Sequence, residues 1–340
     1  MNSPTRPRAT GRVTLADVAH AAGVSPMTVS RALRRERAVA PELIVRVDAA
    51  IRALGYVPDP AARALATGHS AHVAVLIPLL SNALFVDLLE ALQLRLRKAG
   101  YQTLIGVTHY DLKEEEQLLK EQLAHRPAGL VVTGFDRSES ARQLISRSEI
   151  PCVHVMENSD AQDVFSVGLS QTDAGAALTR HLLERGRRRI AFVGAQLDPR
   201  VLKRLAGWRR ALQCQGLHDP GLEYLDPAPS SQALGSSMFE RVVAQDPSVD
   251  AIFFCNDDLA QGALFAAARL RVDVPRQIAI AGFNDLTGSD LTLPPLTTVR
   301  TPRSEMGSAA AEMLIALMRK EKVEERQLDL GYELVVRQST

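Results

Sequence analysis

The segment TLADVAHAAGVSPMTVSRAL, residues 14–33, contains two short helical patterns separated by a glycine-containing turn. Thr14 is placed to cap the first helix, and Asp17 follows three positions later as the partner of a capping box. Ser25 is placed to cap the second helix, which opens with Pro26, where a missing N–H costs nothing. This order of elements predicts a helix-turn-helix.

The second helix of such a motif lies in the major groove of DNA, and residues near its start face the base edges. Arg31 is placed to bind a guanine through two hydrogen bonds, and hydroxyls at the helix start suit phosphate oxygens. Three more arginines follow within six positions, and that face lacks an apolar partner, which favours DNA over a helical hairpin in a protein core. The predicted DNA-contacting residues of this segment are Thr14, Ser25, Pro26, Met27, Thr28, Ser30 and Arg31.

The charge of the chain is unevenly distributed. Its 340 residues carry a net charge of +1, but residues 1–70 hold ten arginines against five acidic residues, and the remainder is slightly acidic. Only the N-terminal part is therefore expected to meet a polyanion. No segment approaches the ~20 apolar residues that span a bilayer, and the polar, basic start is not a secretory signal, so we expect a cytoplasmic protein without a membrane partner.

From Val73 onward, short apolar strands alternate with amphipathic helices. The predicted strands are VAVLIP (73–78), YQTLIGV (101–107), AGLVVTG (128–134), PCVHVM (151–156), IAFVGA (190–195), AIFFCN (251–256) and IAIAGF (278–283). Continuous apolar strands joined by helical crossovers predict parallel sheets covered on both faces. We therefore predict an α/β body with two doubly wound lobes, in which a ligand binds beyond the carboxyl ends of the strands.

The predicted organisation has four parts. They are a disordered arm (1–11), an all-α helix-turn-helix head (12–57), a hinge helix with linker (58–72) and a two-lobed effector-binding and dimerisation domain (73–340).

Several short motifs, in a fixed order, resemble the lactose-repressor (LacI) family. They are YVP (56–58), ARALA within 61–66, Pro78, LAGW (205–208), Asn256-Asp257, GFND (282–285) and PLTTV (295–299). The resemblance covers residues 12–340 and implies periplasmic-binding-protein-like lobes in a homodimer or tetramer on a pseudopalindromic operator. The segments GAQLD (194–198) and TPR (301–303) look closest to the gluconate and 2-ketogluconate repressors.

Within this family the segment 61–66 is similar to the hinge helix. It is shorter than the ~12–15 residues at which an isolated helix becomes marginally stable, so we expect it to fold only with DNA and a partner hinge. Ala62 and Leu65 are its predicted DNA contacts, and Leu65 is the apolar wedge that enters a minor-groove step.

The resemblance also implies the effector site. Its predicted residues are Ser81, Asn82, Phe85, Glu157, Arg200, Arg204, Asn256, Asn284, Arg300 and Arg303. In sugar-binding members an arginine matching Arg204 binds ligand hydroxyls, and an acid commonly matches Asn284. Asparagine removes an anionic acceptor, and arginine binds a carboxylate through paired hydrogen bonds, so we predict a sugar-acid effector.

Enzymatic motifs are absent from the sequence: no GxSxG, HExxH, P-loop or strand-linked GxGxxG occurs. The three cysteines form no CxxC pair, so we expect neither a metal nor a disulfide, and no cofactor. His154, on a predicted strand, is interpreted as a core histidine. Asp257 is interpreted as a ligand or structural acceptor, and Asp258 as the cap of the following helix.

We therefore predict a repressor of sugar-acid metabolism genes that leaves its operator when gluconate or 2-ketogluconate binds. One alternative is a two-lobed solute-binding protein that delivers sugar to a transporter. A second alternative is a regulator whose ligand acts as a co-repressor, because the sequence does not determine the sign of the ligand's effect.

Overall fold

The computed structural model describes residues 13–33, 35, 38–58, 70–80, 83–159, 161 and 163–340. The chain forms two compact units, with the boundary between Ser70 and Ala71. The predicted arm (1–11) and hinge helix (61–66), and with them Ala62, Leu65, Ser81 and Asn82, lie outside the described residues.

The described part of the first unit contains three helices, α1 (Leu15–Ala22), α2 (Pro26–Leu33) and α3 (Pro41–Leu54). The Thr14 hydroxyl accepts from the Asp17 amide at 3.3 Å, and the Asp17 carboxylate accepts from the Thr14 amide at 2.8 Å, which confirms the predicted capping box. Gly23 ends α1 with φ 61, a left-handed conformation that favours glycine. The Ser25 hydroxyl accepts from the Thr28 amide at 3.1 Å, as predicted for the start of α2.

The three helices pack around a small apolar core. Val18, Val29 and Val47 come from α1, α2 and α3 in turn, and each is completely buried. Arg46 on α3 donates to the carbonyl oxygen of Ala22 at 2.5 Å, so a carbonyl left open at the end of α1 is satisfied by another helix. The predicted helix-turn-helix is therefore held to α3 by both packing and a hydrogen bond.

The second unit contains twelve strands. They are β1 (His72–Ile77), β2 (Gln102–Val107), β3 (Gly129–Thr133), β4 (Cys152–Val155), β5 (Phe165–Gly168), β6 (Ile190–Ala195), β7 (Glu223–Asp226), β8 (Ala251–Phe254), β9 (Ala279–Asn284), β10 (Thr297–Arg300), β11 (Gln327–Asp329) and β12 (Glu333–Val335). They form two six-stranded sheets, β11-β5-β4-β3-β1-β2 and β12-β10-β9-β8-β6-β7. Strand pairing is parallel except where β12 joins β10 antiparallel.

Eight helices connect and cover these strands. They are α4 (Ala83–Lys98), α5 (Leu112–Ala124), α6 (Glu139–Ser148), α7 (Gln171–Glu184), α8 (Pro199–Gln213), α9 (Gln232–Gln245), α10 (Asp257–Leu270) and α11 (Arg303–Met318). The pair α4 and α11 and the pair α5 and α6 cover opposite faces of the first sheet, and these elements form the first lobe. The second sheet packs with α7 to α10 and forms the second lobe. Two covered, mainly parallel sheets confirm the predicted fold class.

The chain passes between the lobes three times. Strands β1 to β5 build the first lobe and β6 to β10 the second, after which α11 and β11 return to the first sheet and β12 to the second. The described helices include none that is long and apolar enough to cross a membrane.

Candidate functional site

A cleft lies between the lobes, beyond the carboxyl ends of several strands of both sheets. We call it the interlobe cleft. It is lined by Leu79, Leu84 and Tyr110 from the first lobe and by Ala195, Gln196, Asp198, Arg200, Val201, Arg204, Ser230, Asn256, Asp258 and Asn284 from the second. It encloses about 610 Å³ of empty space, part of which is open to solvent. Its position beyond the strand ends, between two lobes, is typical of a ligand site in such folds.

Arg204 on α8 is buried at the base of the cleft. Its Nε donates to Gln171 Oε1 at 2.8 Å, and its Nη1 donates to the carbonyl oxygen of Cys255 at 2.6 Å. Its Nη2 lies 3.4 Å from Asn284 Oδ1, and its guanidinium carbon lies 3.8 Å from the centre of the Phe283 ring. Burial lowers the pKa of Arg204 to about 10, so the side chain remains a cation at neutral pH.

Arg200 lies one helical turn before Arg204 and is equally buried. Its Nε is 3.0 Å from Asp198 Oδ1, and its guanidinium lies 5.6 Å from the centre of the Tyr110 ring. Burial alone would lower its pKa, but Asp198, Tyr110, Glu157 and Asp136 outweigh that effect and raise it. Its Nη1 is buried and finds no hydrogen-bond partner among the described residues. Arg200 is therefore permanently charged, and its Nη1 is available to donate a hydrogen bond to a ligand.

Glu157 follows β4 in the first lobe and forms an ion pair with Lys203 of the second lobe. Its other oxygen, Oε1, is buried without a partner in the described part of the chain. That oxygen and Arg200 Nη1 lie 3.0 and 3.4 Å from the point that a Cβ on Gly134 would occupy. An acceptor and a donor from opposite lobes, each without a hydrogen-bond partner among the described residues, thus lie beside Gly134.

The asparagines predicted for the site line the cleft. Asn256 Oδ1 accepts from the Leu259 amide at 3.1 Å and caps α10, so the prediction that Asp258 caps this helix is wrong. Asn284 Oδ1 accepts from the Thr301 hydroxyl at 3.2 Å. Asp257 is completely buried and accepts from Thr298, Ser289 and the amide of Leu286, which assigns it the structural one of its two predicted roles.

Four residues predicted for the site lie outside the cleft lining, and Glu157, described above, is one of them. Phe85 is completely buried in the core of the first lobe, because the first turn of α4 faces the sheet. Arg300 is half-exposed and forms ion pairs with Asp285 and Glu333. Arg303 bonds to the Asp87 carboxylate at 2.8 Å and to the carbonyl oxygen of Asn284, so it ties α11 to both lobes. The cleft lining does not include these residues, and their assignment to the effector site stays a prediction.

Several residues that line the interlobe cleft are absent from the site predicted from the sequence. The polar ones are Tyr110, Gln196, Asp198, Ser230 and Asp258. Tyr110 and Gln196 have left-handed backbones, with φ 59 and φ 66, which turn the chain sharply after β2 and β6. Tyr110 is signalled in the sequence by its position shortly after a predicted strand, and Gln196 by that position and by its place in the segment GAQLD (194–198).

The head presents part of α2 to solvent. Met27 is 60% exposed, Pro26 and Arg31 are exposed, and Thr28 and Ser30 are half-buried. Val29, on the opposite side of the helix, is completely buried in the core of the head. The residues predicted to face bases therefore occupy the outer side of α2.

Comparisons with known proteins agree with this architecture. Residues 14–59 match the profile for bacterial regulatory proteins of the lacI family, and residues 179–340 match a periplasmic binding protein-like domain. The HTH-type transcriptional regulator GntR of Pseudomonas aeruginosa is 55% identical over 333 residues, which cover 98% of this chain and 97% of that protein. The chain belongs to the LacI family of transcriptional regulators.

Solved structures of other transcriptional regulators share the fold. The transcription regulator GntR from Chromobacterium violaceum is 49% identical, covers 79% of this chain and 98% of its own, and has a TM-score of 0.77. The lac repressor dimer bound to operator and the anti-inducer ONPF is 25% identical, covers 96% of this chain and 99% of its own, and has a TM-score of 0.86. Membership of this family favours a DNA-binding regulator over a solute-binding protein.

Proposed function

We propose that this LacI-family regulator is a cytoplasmic repressor of sugar-acid metabolism genes, bound as a homodimer to a pseudopalindromic operator and released by gluconate or 2-ketogluconate. The observation that carries the proposal is the presence of two buried arginines, Arg200 and Arg204, in the lining of one interlobe cleft.

The chemistry of these arginines supports an anionic ligand. Guanidinium groups bind carboxylates through charge-assisted hydrogen bonds, which are stronger than those between neutral groups. A buried donor without a partner costs free energy, and the Arg200 Nη1 would recover it by binding a ligand oxygen. The 55% identity to a regulator named GntR, together with the resemblance to gluconate repressors, supports a sugar acid as that ligand.

The head supports the DNA-binding part of the proposal. Met27 and Arg31 are exposed on α2, the helix that contacts base edges in a helix-turn-helix, and Ser25 and Thr28 stand at the helix start, where hydroxyls suit phosphate oxygens. Leu65 would be the minor-groove wedge of the hinge. Release requires the effector to bind better to the state of the lobes that has low operator affinity.

Calorimetry on the full chain with gluconate, 2-ketogluconate and glucose tests the ligand. We expect at least one acid to bind ten or more times tighter than glucose, a difference of about 1.4 kcal/mol or more. The same acid should release an operator fragment in a gel-shift titration. Equal affinity for all three compounds would overturn the sugar-acid assignment. An acid that strengthens operator binding would instead identify a co-repressor.

A further inference from the structure

Two carboxylates of the second lobe line the interlobe cleft, and their surroundings differ. Asp198 is paired with the Nε of Arg200 at 3.0 Å and also accepts from the amide of Arg200, which caps α8. The side chain of Asp258 forms neither a hydrogen bond nor an ion pair with any residue in the described ranges of the chain. Asp198 is thus neutralised by a neighbour, whereas Asp258 faces the cleft as an unpaired acid.

The cations of the cleft do not compensate Asp258. Arg200 and Arg204 belong to α8, whereas Asp258 is the second residue of α10. Burial raises the pKa of Asp258. The cleft therefore holds a pair of buried cations on α8 and, at the start of α10, a partly desolvated carboxylate that is not paired with them.

We propose that Asp258 determines which acids the cleft accepts: it receives hydrogen bonds from hydroxyls at the end of the effector remote from the carboxylate, and it excludes acids that carry a second carboxylate at that end. This inference rests on the proposed function, because it assumes that the carboxylate of a sugar acid lies against the arginines.

The physical reason is the difference between the two ligands at the end that faces Asp258. A hydroxyl supplies the donor that an unpaired, half-buried carboxylate lacks, so a polyhydroxy monoacid satisfies both regions of the cleft. A diacid would bring a second negative charge beside Asp258 without an intervening cation, where like charges repel strongly. Discrimination by an unfavourable contact with the wrong ligand is a general route to specificity.

A purely structural role for Asp258 makes a different prediction. An acidic side chain in the first turn of a helix is stabilised by the positive end of the helix dipole. If that were its whole role, replacing Asp258 would lower thermal stability and leave the ranking of ligands unchanged. Stability and ligand ranking must therefore be measured together.

The experiment compares gluconate with glucarate, the six-carbon diacid, by calorimetry on four proteins: the wild type, Asp258→Asn, Asp258→Glu and Asp273→Asn. Asp273→Asn is the control, since it removes one negative charge from an exposed position of the same lobe. We expect the wild type to prefer gluconate by about 100-fold, and Asp258→Asn to reduce this ratio about 10-fold or more by gaining affinity for glucarate. Asp258→Glu and Asp273→Asn should keep the wild-type ratio.

The outcomes separate this inference from the proposed function. An Asp258→Asn protein whose ratio equals that of the wild type overturns the inference, with or without a change in melting temperature. Equal loss of affinity for both acids also overturns it, because a general defect in binding is not discrimination. If the wild type binds no monocarboxylic sugar acid, the proposed function itself fails, and the inference fails with it.

Discussion

Lys203 and Glu157 form an ion pair between the two lobes. The carboxylate of Glu157 is 2% exposed, whereas the side chain of Lys203 is 43% exposed. The lysine therefore neutralises a buried charge while keeping contact with water. Glu157 follows β4 of the first lobe and Lys203 lies on α8 of the second, so this charge is compensated only while the lobes keep their observed separation.

Lys203→Met should leave Glu157 buried without its cation. We expect the free energy of unfolding to fall by about 1–3 kcal/mol, less than for a fully buried pair because Lys203 is partly solvated. Adding Glu157→Gln should restore part of that loss, since the uncompensated charge is then gone. Urea unfolding of the two single variants and the double variant measures this coupling. Strictly additive losses would show that the ion pair contributes nothing.

Arg200 and Arg300 provide a matched test of the effector site. Arg200 lines the cleft, whereas Arg300 is half-exposed and paired with Asp285 and Glu333. Losing one partner of a buried charged contact costs about 2–5 kcal/mol, so Arg200→Gln should weaken binding of the acid effector by roughly 30-fold or more. Arg300→Gln should leave it within about two-fold. Calorimetry measures the affinity of each variant for the effector. Equal losses in Arg200→Gln and Arg300→Gln would show that Arg200 does not bind the effector.

The contrast between Arg200 and Arg300 also shows what the sequence could not reveal. The long apolar strands were predictable because their buried residues form continuous runs. The missed strands β5, β7, β10, β11 and β12 are three or four residues long, and several mix polar with apolar side chains. Arg300 is the last residue of β10, and its partner Glu333 opens β12, so its outward direction depended on two strands that the pattern did not predict.

The sequence likewise predicts only some of the residues that line the cleft. Arg204 and the two asparagines were found through the family resemblance, and they do line the cleft. Phe85 was placed there as well, but the rotation of α4 directs it into the core. Tyr110 was missed because a left-handed turn after β2, which sequence patterns rarely indicate for a tyrosine, brings it to the cleft.

Arg31 and Arg35 test the DNA-binding face of the head. Arg31 is exposed on the outer side of α2, and Arg35, after the end of α2, forms an ion pair with Asp48 of α3 at 2.9 Å. If Arg31 binds a base through two hydrogen bonds, Arg31→Ala should cost about 1–3 kcal/mol of operator affinity and relax sequence preference at one position. Arg35→Ala should have a smaller effect that is independent of sequence. Fluorescence anisotropy with operator variants measures both, and a sequence-independent loss for Arg31→Ala would assign it to phosphate.

His154 should make the stability of the body depend on pH. As predicted, it is a core histidine: it stacks on Phe135, with ring centres 4.4 Å apart, and its Nδ1 lies 2.9 Å from the carbonyl oxygen of Gly134. Burial, followed by the charge of Arg137, lowers its pKa from 6.5 to about 4. Between these values only the unfolded chain binds the proton, so stability is lost as the pH falls from about 6.5 to 4.

The measurement is the free energy of unfolding at pH 7 and pH 4 for the wild type and His154→Gln. Because a pKa unit corresponds to 1.36 kcal/mol, the loss on acidification should be smaller in the variant by on the order of 3 kcal/mol. His125→Gln, at the end of α5, is the control and should follow the wild type. If the free energy of unfolding changed between pH 7 and pH 4 by the same amount in His154→Gln as in the wild type, the assignment would be wrong.

The return of the chain through α11, β11 and β12 determines how the body can be divided. Each lobe is encoded by two separate stretches of the gene, and the late stretches supply an edge strand to each sheet and a helix that covers the first. A ribosome that has completed the first five strands has therefore not yet made all of the parts that bury them. Neither lobe can be excised as one uninterrupted piece, and homologous recombination that exchanges ligand specificity between relatives must transfer residues 71–340 together.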